Sequence, residues 1–297
     1  MYTAEMEIIR NLTGVAKNRI ALRDDGFMSR GYVIDDGRLV FKFKKRPDTT
    51  YVCEAQNLDE LNRQDLGVHL QRVAYKAEDD SYLGVYGVQG ISLEQYPLDG
   101  ASRAAIGRQL GEFLQKLHAL KPKTKLVYPL DDLIGIWQER YRKAKKTLVK
   151  YFDAKDLARI DTLMMREMPD TLQTLGEKRV FSHADLGDGN ILIDRDGKAG
   201  VIDFSESGYI DEASDFMDIT DPALCAVMLD TYGADANLRK KVEMQRRIRP
   251  IFVLDVYAER EEAAVQKLIR QIRSDLDREK EKTECHLNRS SIKIPTR

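Results

Sequence analysis

Two short apolar runs constrain the fold of this chain more than any other feature. They are NILID at residues 190–194 and AGVIDF at 199–204, with Arg195-Asp196-Gly197-Lys198 between them. Charged and glycine residues between aliphatic runs are turn chemistry, so the pair predicts a β-hairpin. A hairpin brings the outer ends of its arms together. Whatever precedes Asn190 must therefore lie beside Asp203 and Phe204. The preceding segment, FSHADLGDG at 181–189, holds His183 and Asp185 among small and polar residues. It has an ordinary reading as a polar turn. The alternative is a loop that carries chemistry.

The spacing favours chemistry. Asp185, Asn190 and Asp203 would place two carboxylates and an amide oxygen near one spot, a donor set that suits Mg²⁺ completed by phosphate oxygens and water. His-x-Asp-x4-Asn followed by Asp-Phe is a layout used for phosphoryl transfer. In it the loop Asp takes a hydroxyl proton, while the Asn and the second Asp hold metal. That layout demands upstream partners. RLVFKFK at 38–44 offers Lys42 on a strand, with Lys44 as its same-face competitor, and Glu54 sits early in the following helical segment. Taken alone, both are ordinary surface residues. DDGFMSRGY at 24–32, with Gly26 and Gly31 flanking Ser29 and Arg30, could cover phosphates. It has neither GxGxxG nor GxxxxGK[ST] spacing, so a plain β-turn stays open.

Residues 3–15 have helical apolar spacing, and IALRDD, RGYVID and RLVFKFK read as strands. A helix is predicted over 52–64, then strands over VHLQRVAYKAE and SYLGVYGV. From Ala101 onward the spacing is mainly helical, beginning with the apolar face of Ile106, Leu110, Phe113, Leu114 and Leu117. The expectation is an α+β, bilobal chain with a small β-rich N-terminal lobe at 1–90, a larger, mainly helical lobe at 91–282 and a flexible tail at 283–297. A net charge of −1 offers no global field for nucleic acid or an anionic membrane. Three cysteines without CxxC spacing argue against a disulfide framework or zinc site and suit a reducing compartment. The N-terminus lacks a signal-peptide core, and no stretch approaches about 18 apolar residues, so the expected location is the cytoplasm. Oligomeric state is not legible.

With these residues assembled, the chain resembles the aminoglycoside phosphotransferase family, which shares the protein kinase fold and includes macrolide and choline kinases. The family loop reads close to HGDLHPGN-[IV]-L and then IDF or IDW; here it is HADLGDGNIL and then VIDFSESGYIDEASDF. LGEFLQKLHAL also looks like the family helix that ends in L-H-A-L. The resemblance covers about residues 20–275. It implies Asp185 as catalytic base, Asn190 and Asp203 as Mg²⁺ ligands, and Lys42 with Glu54 as the phosphate-positioning pair. His183 and Asp215 would brace the loop. ATP or GTP would be the co-substrate, its phosphates under the turn of Gly26 and Ser29. Its base would lie along Val85 to Val88, with Val88 and Ile202 as apolar neighbours.

The departures are Ala184 for the usual Gly, Gly187-Asp188 for His-Pro, and Glu212 for a frequent Pro. None removes the base or a metal ligand. HAD and DFS stand where protein kinases have HRD and DFG, and no APE follows, which favours a small-molecule hydroxyl over a polypeptide. Acids near the loop (Glu206, Asp211, Glu212, Asp215 and Asp218) and in the late helix (Asp255, Glu259, Glu261 and Glu262) would attract a polycationic aminoglycoside. The late glutamates have an equal reading as a solvated face beside Arg260 and Lys267. A macrolide or other small alcohol, met by Trp137, Phe252 and Tyr257, is the alternative acceptor. A kinase acting on a polypeptide, or a regulatory nucleotide-binding module without turnover, completes the readings.

Overall fold

The computed structural model describes residues 2–24, 26, 28–46, 50–124, 126–258 and 262–290. Helix α1 (Tyr2–Thr13) precedes three antiparallel strands, β1 (Ile20–Arg23), β2 (Ser29–Ile34) and β3 (Leu39–Lys44), and then α2 (Val52–Leu61). Strands β4 (His69–Leu70), β5 (Arg72–Lys76), β6 (Tyr82–Tyr86) and β7 (Ile91–Ser92) follow, then helices α3 (Gly100–Ala119), α4 (Leu130–Leu148), α5 (Ala154–Thr162) and α6 (Met168–Leu175). A π-helical turn at Leu163–Glu167 joins α5 to α6. Next come β8 (Arg179–Ser182), β9 (Ile191–Ile193), β10 (Ala199–Val201) and β11 (Gly208–Asp211). Helices α7 (Pro222–Tyr232), α8 (Ala236–Phe252), α9 (Leu254–Tyr257) and α10 (Glu262–Ser290) close the described chain.

The chain divides into two compact units, Met1–Tyr128 with Lys178–Leu238, and Pro129–Glu177 with Arg239–Arg297. The first holds a five-stranded sheet in the order β1-β2-β3-β6-β5. Side chains alternate across a strand, and in β3 this buries Leu39, Phe41 and Phe43 against Ile9, Ile20, Tyr32 and Ile34. Lys42 and Lys44 consequently share the opposite face. Glu5 of α1 fastens that helix to β2, accepting hydrogen bonds from the Arg30 guanidinium (2.5 Å) and the Tyr32 hydroxyl (2.6 Å).

A second sheet has the order β4-β10-β9-β7, and β8 pairs with β11 in a separate ribbon. The hairpin expected from NILID and AGVIDF is β9–β10, with Ile191 opposite Val201. Its second arm is shorter than the apolar run, since β10 stops at Val201. The run VHLQRVAYKAE is not one strand either. It breaks at Gln71; β4, before the break, joins β10, and β5, after it, joins β6. Helix α3 packs closely on α7 because Gly107 and Gly111 have no side chain there; a Cβ at Gly111 would sit 2.8 Å from the Met228 carbonyl oxygen.

The second unit contains α4, α5, α6, α9, α10 and α8 from residue 239. Trp137 of α4 stacks on Phe252 of α8 at 5.6 Å, and both are buried. Arg140 pairs with Asp255 at 3.2 Å. Among the described residues no helix is long and apolar enough to cross a membrane.

Candidate active site

Strand β3 and helix α2 meet at Lys42. Its ammonium donates to Glu54 Oε1 at 2.6 Å and to Asp203 Oδ1 at 2.8 Å. Lys44, its same-face neighbour, pairs instead with Asp80 at 2.8 Å. Burial works to lower the Lys42 pKa, but the charges of Asp203 and Glu54 outweigh it and hold the ammonium above the ordinary lysine value. Burial likewise works to raise Asp203, yet Lys42 keeps that carboxyl well below the usual carboxylate range. Glu54 is wholly enclosed, and burial pushes its carboxyl up against the pull of Lys42. Its second oxygen has no hydrogen-bond partner among the described residues.

The loop between β8 and β9 brings its polar groups to two sides. His183 is buried and faces inward. The Asp185 amide can only donate, so its 3.3 Å contact makes His183 Nδ1 the acceptor, and the ring donates from Nε2 to the Ile202 carbonyl at 2.9 Å. Burial lowers the His183 pKa, which keeps the ring neutral. Asp215 is buried too and accepts from the amides of His183 (3.0 Å) and Ala184 (2.8 Å). These bonds hold Ala184 at φ 68°, in the left-handed region that a residue with a Cβ ordinarily avoids. Burial raises Asp215, but the hydrogen bond from His118 and the charges around it bring the net shift down.

Asp185 and Asn190 lie on the other side. Asp185 is exposed. Asn190 Nδ2 donates to the Asp185 carbonyl at 2.8 Å and to its carboxylate at 3.0 Å, which turns the amide oxygen of Asn190 away. Asp203 enters from β10 in the left-handed region, at φ 65° and ψ 70°, with its side chain 39% exposed. No group of three His, Cys, Asp or Glu side chains among the described residues could hold a metal alone. The available oxygens, one carboxylate and one amide, fit a Mg²⁺ ion that takes its remaining ligands from phosphate and water.

The other predicted residues are distributed as follows. Val85 is buried in β6, half-buried Val88 packs over Gly200 of β10, and Ile202 is half-buried. Ser29 begins β2, opposite Lys44, and its hydroxyl lies 2.8 Å from the Tyr51 hydroxyl. Gly26 approaches the Ser29 carbonyl, so that a Cβ there would sit 2.7 Å from it. Glu206 is exposed, and its carboxyl is pushed up by partial enclosure and then by the charges of Asp185 and Asp203. Asp211 is buried and accepts the amides of Lys178 (3.0 Å) and Ala213 (3.1 Å). Glu212 is also buried, bound to Lys178 Nζ at 2.7 Å and to the Tyr232 hydroxyl at 3.2 Å. In the second unit, Asp255 faces Arg140, and Glu262 accepts from Gln266 at 2.7 Å. Glu259 lies outside the described residues.

Several supporting residues were not anticipated. Buried Gln71 accepts the Asp203 amide at 2.9 Å, fixing the turn that aims that carboxylate. Asn57 of α2 donates to Ser207 Oγ at 2.8 Å. His118 of α3 donates from Nε2 to Asp215 at 3.0 Å, while Nδ1 lies 2.9 Å from the Tyr232 hydroxyl. Only His118 had a sequence signal, since it ends the L-H-A-L helix. Gln71 and Asn57 are common polar residues in ordinary apolar patterns.

An α+β arrangement in which a strand lysine meets a helix glutamate and a loop aspartate, with a second aspartate on the loop before the hairpin, is that of a kinase-like fold. The chain belongs to the phosphotransferase enzyme family, whose sequence model matches residues 20–251. No curated protein matches it. Among solved structures, the gentamicin complex of APH(2")-IIa is similar at a TM-score of 0.68 and 17% identity, covering 91% of this chain and 95% of that one. The GDP complex of aminoglycoside 2'-phosphotransferase-IIIa gives 0.70 and 16%, covering 92% and 97%. Choline kinase LicA from Streptococcus pneumoniae gives 0.60 and 14%, covering 92% and 99%. At these identities the likeness establishes the fold, and the family makes the chain a phosphotransferase.

Proposed function

We propose that this protein is a Mg²⁺-dependent kinase that moves the γ-phosphoryl group of ATP or GTP onto a hydroxyl of an aminoglycoside-type antibiotic. The observation that carries the reading is the fixed, exposed Asp185 carboxylate, held by Asn190, on the chain that also joins Lys42 to Glu54 and Asp203. Residues 1–90 then supply most of the nucleotide contacts. Lys42 would hold α- and β-phosphate oxygens, kept charged by its carboxylates. Val85 to Val88 would border the base, and Asn190 and Asp203 would hold the metal. When bound, Mg²⁺ neutralises charge on the β- and γ-phosphates. Asp185 would orient the acceptor hydroxyl and take its proton. Catalysis would then come mainly from positioning and electrostatics.

Glu206 supports a cationic acceptor. Its charge adds to those of Asp185 and Asp203, and such a field attracts ammonium groups. Solved relatives of the fold include enzymes in complex with gentamicin and kanamycin. The macrolide alternative has less support, because Trp137 and Phe252 are spent on stacking with one another in a buried contact. The cytoplasm remains the proposed location, on the sparse cysteines.

The deciding experiment measures consumption of Mg-ATP and Mg-GTP against aminoglycosides, macrolides and small alcohols, with mass spectrometry of the acceptor. A phosphorylated aminoglycoside is expected. Transfer to another class replaces the acceptor, and no transfer to any of them overturns the kinase reading.

A further inference from the structure

On the sheet face that carries Lys42, one residue connects Ser29, at the start of β2, with the helix that bears Glu54. Gly31 pairs with Lys42 and Ser29 with Lys44, so alternation puts the Ser29 side chain on the same face as both lysines. The Ser29 hydroxyl meets the Tyr51 hydroxyl at 2.8 Å. Tyr51 is 1% exposed and stands directly before α2. Its carbonyl accepts the Ala55 amide at 2.9 Å, and its own amide donates to Asp80 Oδ1 at 3.0 Å. Asp80 in turn binds Lys44 Nζ at 2.8 Å, and that ammonium lies 5.9 Å from the centre of the Tyr51 ring. Backbone, ring and hydroxyl of Tyr51 are thus all fixed. Glu54 follows in the first turn of the same helix and holds Lys42.

We propose that Tyr51 is a positioning residue for the nucleotide, its hydroxyl tying Ser29 to the start of α2 and so to the Lys42–Glu54 pair. This rests on the reading of Lys42 and Ser29 as phosphate contacts. A phosphate that draws on Ser29 acts on a side chain already anchored to α2. The set of Ser29 and the set of Glu54 are therefore coupled through one rigid residue. Burial pushes the phenol up to about 12, against the lowering effect of the Ser29 bond, so it serves as a neutral hydroxyl at any physiological pH.

Calorimetric titration of the full chain with Mg-ATP and Mg-GTP tests this, using Tyr51→Phe, Ser29→Ala, the double variant, Ser29→Thr and Lys42→Met. Phe fills the same ring site, and melting curves report whether each variant folds. For the nucleotide that wild type binds, Tyr51→Phe and Ser29→Ala should each weaken affinity about 3- to 10-fold, the effect of one hydrogen bond. The double variant should lose no more than the weaker single, and Ser29→Thr should retain affinity. Wild-type affinity in Tyr51→Phe, or fully additive losses in the double variant, overturns the proposal. If either result accompanies lost affinity in Lys42→Met, the phosphate reading survives without it. Unchanged affinity in Lys42→Met removes the phosphate reading and this inference with it.

Discussion

Asp215 and Asp185 present the same carboxylate on two sides of one loop, and the fold uses them in opposite ways. Asp215 is fully buried and spends its oxygens on the amides of His183 and Ala184 and on His118. Asp185 is exposed and meets the Asn190 amide. The histidines follow the same division. His183 stands next to the proposed catalytic positions in sequence, yet its ring is buried, neutral and occupied at both nitrogens. The comparison teaches that rigidity behind the loop and the reactivity proposed in front of it are built from identical groups, sorted by burial and by what each accepts.

The largest effect that could break this contrast is on stability. Asp215→Ala would leave two loop amides and His118 without their acceptor, and a buried charged network broken on one side costs about 3–5 kcal/mol. Denaturant unfolding is expected to show that loss; a change under about 1 kcal/mol would mean the brace is not structural. Asp185→Asn probes the other side. Turnover is expected to fall at least about 10²-fold, the scale of general-base effects, while the unfolding curve stays that of wild type. Comparable turnover would dissolve the distinction.

Acid should act on the buried side through two groups. His183 and Asp215 both have pKa values below their ordinary ones of 6.5 and 3.8. The unfolded chain therefore takes up their protons first. Stability contributed by His183 is expected to fall as the pH drops below about 6.5, and that from Asp215 to fall further below about 3.8. Thermal melts between pH 4 and pH 8 measure the first loss, and His183→Gln should flatten it. The smallest effect sharpens the account of the loop backbone. Ala184→Gly removes a Cβ from a left-handed position, and should raise stability by about 0.5–1 kcal/mol after the extra freedom of the unfolded glycine is counted. A destabilised Ala184→Gly would show that the methyl group packs usefully.

Much of this was legible in residue order. Alternation in RLVFKFK and the turn before Ala199 determine β3 and the β9–β10 hairpin, and the motif spacing selects Asp185, Asn190 and Asp203. The acids after Asp203 were not legible, because composition cannot say which carboxylates face inward. Asp211 and Glu212 are buried in hydrogen bonds, whereas Glu206 remains at the surface. The break at Gln71 was hidden for a related reason. Nothing in VHLQRVAYKAE departs from a strand, and the interruption answers to the Asp203 amide far along the chain.

The sequence by itself determined the family, the strand and helix periods and the order of the groups proposed to react. All of these are carried by local patterns that any chain must express through its own backbone. Only the tertiary structure decided that Lys44 turns to Asp80, that Asp211 and Glu212 are buried in hydrogen bonds, and that Tyr51 reaches Ser29. Each of those outcomes depends on side chains distant in sequence competing for a few buried hydrogen bonds. That competition is settled by where the packed elements leave donors and acceptors within about 3 Å of each other.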